Sequence, residues 1–288
     1  MADLLDWTQP GDRQFDYCLW PYEPVAAPAG KLRSSTLLWQ SFDALGAPPG
    51  LGEMVRAVQG EIGPLRTVWG VKQKGDAYSW ELYFYDYGRL EREVSIERVL
   101  GALAPYAPCD LALSPKRPYF MFSIDLDPGL ARRERGLDEI SVYLGNPSGL
   151  VSSGLCYQLT RSGLRFDNLY YFFDARENRE DIIGKVAASA HVDLDGLDIA
   201  SILWPELADH CGVIVVANKK YNDGVYFSRI GIDRLIWFVE RLGYPAAIRD
   251  FLVAHRGRLD HMLYDVGVDY RMVDGRLEIL KSAYYGVV

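Results

Sequence analysis

The chain has 288 residues, enough for a large core, and its 39 acidic against 31 basic residues give a formal charge of −8. That balance argues against nucleic acid or an anionic membrane surface as the main partner, and no apolar run approaches the roughly 18 residues a membrane span needs. Four cysteines, Cys18, Cys109, Cys156 and Cys211, form no C-x-x-C pair, which argues against a zinc site or a disulfide scaffold and predicts buried free thiols. No basic start followed by an apolar stretch marks a signal peptide, so a soluble, cytoplasmic protein is expected.

In chain order, residues 1–34 are rich in Pro and Trp, without clear periodicity, and read as an extended arm packed on one domain spanning 1–288. Helical spacing predicts helices over 36–45, with Ser35 as N-cap, and over 51–62 after a Pro-Pro-Gly break. Strands over 66–74 and 78–87 flank Gly75-Asp76. A helix over 95–106 leads to strands over 119–127 and 138–145. The next pair, 154–161 and 164–174, meets at Ser162-Gly163, and the segment before it, including Ser152-Ser153-Gly154, reads as linker. Helical segments over 178–190 and 199–207 precede a fourth pair, 212–220 and 225–230. Helices over 232–242 and 247–255 precede a fifth, 261–273 and 276–287, joined at Asp274-Gly275.

Five antiparallel pairs, mostly separated by helices, define an α+β chain. They could build a flat sheet or a closed ten-stranded antiparallel barrel with outer helices and a lumen. Each second strand carries a tyrosine: Tyr83, Tyr143, Tyr170, Tyr226 and Tyr285, among 19 in the chain. Alternation sends one face of a barrel strand inward, so these five would line the lumen, with Ser141, Asn168 and Gly224 beside them, unless they are ordinary core packing.

The order and spacing of these aromatic strands resemble the ABBA prenyltransferases, whose fold is a ten-stranded ββα-repeat barrel. Ser123-Ile124-Asp125-Leu126-Asp127 with Ile140-Ser141-Val142-Tyr143 is similar to paired strands of the fungal indole and cyanobactin peptide enzymes. Asn168-Leu169-Tyr170 and Lys281-Ser282-Ala283-Tyr284-Tyr285 resemble strands of the bacterial aromatic enzymes. Residues 213–219 and 222–226, the length and the arm resemble the cyanobactin branch.

The resemblance implies transfer of a dimethylallyl or longer prenyl group from an allylic diphosphate to a side chain of a ribosomal or cyclic peptide, or to a small aromatic molecule. It also implies Mg²⁺ arriving with the diphosphate. A leaving group of about −3 charge needs several cations, and the allylic cation needs π faces. On this reading Arg66, Asn168, Lys219 and Lys281 contact the diphosphate, and Tyr83, Tyr143, Tyr170, Tyr226 and Tyr285 shield the cation. Glu81 takes the acceptor proton. Ser141 and Gly224 stand where the family commonly has Lys or Arg, which motivates a rival reading, a non-catalytic barrel that binds a peptide or aromatic ligand. Lys72 and Lys74 share one face of the first strand and read as a solvated strand edge rather than a lumen rim, and Arg161, Arg229 and Arg271 as exposed strand charges rather than compensating cations. Asp125 and Asp127 read as strand and turn residues rather than a metal pair, the latter opening Asp127-Pro128-Gly129. His191, His210, His255 and His261 lack metal-ligand spacing.

Overall fold

A computed structural model describes residues 5–87, 93–114, 116–145, 152–193, 195 and 197–288. A two-stranded hairpin, β1 (Gln14–Phe15) and β2 (Pro21–Tyr22), interrupts the arm. Helices α1 (Ser35–Ala44) and α2 (Pro49–Ile62) follow, then β3 (Thr67–Lys74), β4 (Ala77–Tyr85) and α3 (Ile96–Leu103). The middle of the chain contains β5 (Met121–Leu126), the single turn α4 (Pro128–Ala131), β6 (Ile140–Gly145), β7 (Ser152–Thr160), β8 (Gly163–Asp174) and α5 (Arg179–Ala187). A short α6 (Pro205–Ala208), β9 (Val213–Lys219), β10 (Asp223–Ile230), α7 (Ile232–Arg241), α8 (Ala246–Ala254), α9 (Arg256–Leu259), β11 (Tyr264–Val273) and β12 (Arg276–Val287) complete it.

Strands β3 to β12 close into one antiparallel barrel in the order β3-β4-β5-β6-β7-β8-β9-β10-β11-β12, with β12 pairing back onto β3. The ten-stranded barrel with helices outside, rather than the flat sheet, is therefore the architecture. Closure pairs each strand on both sides and so removes the sheet edges.

Alternation along the strands separates two cores. On β4, Trp80, Leu82 and Phe84 point outward into a shell shared with the helices, while Tyr83 and Tyr85 belong to a second cluster inside the barrel. Phe84 stacks on Phe122 of β5 at 4.8 Å between ring centroids. Fully buried side chains of this kind each contribute roughly 1.5–3 kcal/mol. The outer helices are amphipathic for this reason: α3 turns Ile96, Val99 and Leu103 inward, and Ser95 caps it by accepting the Arg98 N–H at 3.2 Å.

Several boundaries differ from expectation. The segment 199–207 is not one helix, because Pro205 starts a new turn after a 3-10 stretch at Ile199–Ser201. Ser152, Ser153 and Gly154 are not linker residues but open β7, paired with Phe172, Tyr171 and Tyr170. The rest of that expected linker, 146–151, lies outside the described residues. Of the four cysteines Cys109 is only half-buried, though all four are free. Among the described residues no helix is long and apolar enough to cross a membrane.

Candidate functional site

The five hairpin tyrosines converge. Following the barrel from β4 backwards, ring centroids are 5.9 Å apart for Tyr83 and Tyr285, 6.4 Å for Tyr285 and Tyr226, 6.3 Å for Tyr226 and Tyr170, and 5.8 Å for Tyr170 and Tyr143. They form one continuous arc of rings around the lumen. Burial pushes all five hydroxyls far above the usual phenol range, so they stay neutral at any ordinary pH.

Two glycines make room for the arc. Gly267 lies directly across from Tyr226, and Gly70 from Tyr285, in the strand registers. A Cβ on Gly267 would sit 2.2 Å from Tyr226 Cδ1, and one on Gly70 would sit 2.7 Å from Tyr285 Cε1. The rings lie flat over bare backbone, the way an aromatic covers a cross-strand glycine.

On one side of the arc, toward the hairpin turns, the lumen is charged. Lys219 Nζ donates to Asp269 Oδ1 at 2.6 Å and to the Tyr226 hydroxyl at 2.9 Å, and Lys281 Nζ pairs with Asp269 Oδ2 at 2.9 Å. Asp269 and Lys281 are cross-strand partners, as are Asn168 and Lys219. Burial alone would raise Asp269, but the two ammonium groups outweigh it and hold its carboxyl far below the usual range. Lys72, across the sheet, pairs with Asp125 at 2.6 Å and with Glu81. The Tyr83 hydroxyl donates to Glu81 Oε2 at 2.5 Å. Burial would raise Glu81, and Lys72 reverses this, so Glu81 is an ionised carboxylate already engaged by a cation and a phenol.

Lys72 therefore does not lie on a solvated edge; its side chain is partly buried and paired with Glu81 and Asp125 in the lumen, while Lys74 is exposed near the mouth. Glu81, Asn168, Lys219 and Lys281 are brought together with the five tyrosines. Arg66 is not: it precedes β3, is exposed, and faces Glu93 at 3.5 Å. Arg229 is also misread from sequence as an exposed strand charge, since its Nε holds the buried Asp16 of the arm at 2.9 Å. Arg161 is exposed and pairs with Asp110. Asp127 caps α4 through the Leu130 N–H and pairs with Arg135.

Gly224 has a steric reason. A Cβ there would lie 2.8 Å from Asp269 Oδ1 and 3.3 Å from Lys219 Cε, so any side chain would displace the Lys219–Asp269 pair. Ser141 instead hydrogen-bonds the Gln158 amide at 3.2 Å.

Sequence reasoning missed two contributors. One is Asp167, an extra residue in β8: the register passes from Cys156–Asn168 to Tyr157–Phe166 and skips it. This bulge lets its carboxylate accept from Asn168 Nδ2 at 2.8 Å and Gln158 Nε2 at 3.3 Å. Nothing in an alternating pattern signals a bulge. The other is the arm, which enters the barrel instead of lying on it. Tyr17 donates its N–H to Asp265 Oδ2 at 2.8 Å, and burial beside Asp16 pushes the Asp265 carboxyl up to about 7.

The sequence matches no family model and no curated protein. What the lumen can do rests on its own geometry. Two spaces lie near the charged cluster and the arc, and only the second is lined by arc tyrosines, namely Tyr143, Tyr170 and Tyr226. A chamber of about 550 Å³ at the turn end is lined by Lys72, Ser123, Asp125, Ser141, Gln158 and Lys281 among others. A cavity of about 250 Å³ at the helix-linked end is lined by Tyr85, Tyr87, Phe120, Met121 and Phe172, and by Trp20 of the arm. Among the described residues no charged side chain lines the second. Among the described residues no group of three or more His, Cys, Asp or Glu is arranged to hold a metal.

Proposed function

We propose that the protein is a prenyltransferase of the ABBA-barrel type, moving a dimethylallyl or longer prenyl group from an allylic diphosphate to a peptide side chain. A small aromatic molecule is the alternative acceptor. The observation that carries the reading is the shared lumen of Lys72, Lys219 and Lys281 with the arc of five tyrosines. Lysines with Asn168 beside them supply donors for a diphosphate, and their charge favours departure of the leaving group as the allylic C–O bond breaks. Five neutral phenol rings present π faces to the allylic cation and exclude water that would quench it. The acceptor's electron pair then forms the new bond to carbon, and its proton passes to a lumen carboxylate. Glu81 is the candidate, although its contacts with Lys72 and Tyr83 weaken it as a base.

The lysines are not free. Each one already faces a carboxylate, so a diphosphate must displace Asp269 and Asp125 from them. Mg²⁺ would come in on the diphosphate, because Asp269, Asp125 and Glu81 face lysines and, among the described residues, no group of three or more His, Cys, Asp or Glu is arranged to hold a metal. The same charge compensation favours the second reading, a barrel that binds a peptide or aromatic ligand without chemistry.

A thermal-shift titration separates the two. With dimethylallyl S-thiolodiphosphate and Mg²⁺, a prenyltransferase is stabilised progressively with ligand concentration, by RT ln(1 + [L]/Kd). Stabilisation by peptides alone, with none from the diphosphate, supports the binder.

A further inference from the structure

Glu81 and Asp125 face Lys72 in the lumen, and Asp269 faces Lys219 and Lys281. Asp167 is held differently. It accepts two neutral amide donors, Asn168 Nδ2 at 2.8 Å and Gln158 Nε2 at 3.3 Å, and among the described residues no cation pairs with it. Both amides donate to Oδ2, so among the described residues Oδ1 has no donor. A carboxylate has about four lone-pair sites on its two oxygens, and half of it is open here.

The bulge in β8 aims this group. Asp167 is the residue that the register skips between Phe166 and Asn168, so its side chain turns to the face of Asn168 instead of the outer one. That face is the lumen. Gln158 lines the charged chamber, and its amide also donates at 3.2 Å to Ser141 Oγ, another lining residue. On the other side Asn168 Nδ2 reaches the hydroxyl of Tyr170, a member of the arc, at 3.4 Å. Two neighbours register the charge: burial raises the Cys156 thiol in the lumen and the Glu139 carboxyl at the chamber, and Asp167 adds to both. Asp167 is half-buried, so the junction of chamber and arc carries an ionic acceptor within reach of a ligand.

We propose that Asp167, in place of Glu81, is the general base that takes the proton of the acceptor. The inference rests on the prenyltransferase reading. As the allylic C–O bond breaks, its electron pair leaves with the diphosphate, and the acceptor's electron pair forms the new bond to the allylic carbon. The proton on that acceptor atom passes to Asp167 Oδ1, and the resulting neutral acid returns it to water through the chamber. Glu81 suits this less, because Lys72 and the Tyr83 hydroxyl stabilise its ionised form and protonation would give up both contacts. Asn168 and Gln158 orient Asp167 without a countercharge. A diphosphate held beside Asn168 adds a like charge, which favours uptake of a proton.

The test follows adduct formation from dimethylallyl diphosphate and Mg²⁺ on a panel of peptides and small aromatics, with the full chain as wild type, Asp167→Asn, Asp167→Ala and Glu81→Gln. Asp167→Asn keeps an oxygen for Asn168 and Gln158 but cannot take the proton. Its kcat falls about 100-fold or more, while its calorimetric affinity for dimethylallyl S-thiolodiphosphate stays within about threefold of wild type. Glu81→Gln loses less than about tenfold. Asp167→Ala leaves a gap where the carboxylate was, and added formate, a small carboxylate able to act as the base, restores part of the rate. A residue that only positions Asn168 gives no such rescue. Circular dichroism checks each fold, and Asp167→Ala with formate carries the comparison if Asp167→Asn does not fold. An Asp167→Asn rate within about threefold of wild type overturns the proposal, as does an equal or greater loss in Glu81→Gln, or a folded, inactive Asp167→Ala that formate leaves unchanged. A wild type that forms no adduct and binds no donor analogue overturns the prenyltransferase reading itself, which is a different result.

Discussion

Removing both cations from Asp269, as Lys219→Met with Lys281→Met, lowers stability by about 3–5 kcal/mol, because a carboxylate buried among β9, β11 and β12 loses both its cations and keeps only the Tyr226 hydroxyl at 3.4 Å. Urea denaturation measures the loss as a shift in midpoint at constant slope. Adding Asp269→Asn to the double variant recovers most of it, since the uncompensated charge rather than the missing attraction carries the penalty. Each single lysine variant is milder, because one cation stays on Asp269. The triple variant then gives a folded barrel without Lys219 and Lys281, and if these lysines hold the diphosphate it loses affinity for a diphosphate analogue. A triple variant that binds the analogue as tightly as wild type would remove these two lysines from the diphosphate site. A double variant as stable as wild type would contradict the burial of the pair.

The second large effect concerns the arc rather than the charges. Gly267→Val places a Cβ where the Tyr226 ring lies, 2.2 Å from its Cδ1, and costs about 3 kcal/mol by overpacking. Gly267 is in strand β11 with ordinary strand backbone, so valine is otherwise welcome there and the ring alone opposes it. Tyr226→Ala in the same chain relieves the clash, and the double variant is therefore more stable than the sum of the two single changes. Simple additivity in that double-mutant cycle would mean that Tyr226 does not lie over Gly267.

Both effects depend on features that are written unevenly in the amino-acid sequence. The ten strands and their hairpin pairing were legible because period-2 alternation and turn pairs such as Asp274-Gly275 act locally; closure was not, since the same pairs could build a flat sheet and only the β12–β3 pairing decides it. The inward set of each strand followed from the same alternation, which is why Lys219, Lys281, Asn168 and Glu81 meet in the lumen. What alternation cannot express is an interruption of itself or a contact between distant segments. The bulges that skip Asp167 and Arg229 add one residue to a strand and re-aim side chains without any compositional mark. Lys72 looked like an edge charge because its partners, Asp125 and Glu81, are on other strands and only the closed register brings them within reach. Arg66 lies one residue before its strand, where the inward and outward faces are no longer defined. Tyr17 was hidden for a related reason: it is a single residue at the tip of a two-residue-stranded hairpin, and its place depends on Asp265 of β11, 248 residues away.

Whether the lumen performs prenyl transfer is decided by one assay. The purified chain is incubated with dimethylallyl diphosphate, Mg²⁺ and a panel of linear and cyclic peptides and small aromatics. Products are followed by mass spectrometry, and diphosphate is assayed in parallel. A prenyltransferase gives an acceptor carrying one added isoprene unit with stoichiometric release of diphosphate, and both are lost in the Lys219, Lys281, Asp269 triple variant. No adduct and no diphosphate release across the panel, from a folded protein, would contradict it and leave the barrel as a ligand-binding module.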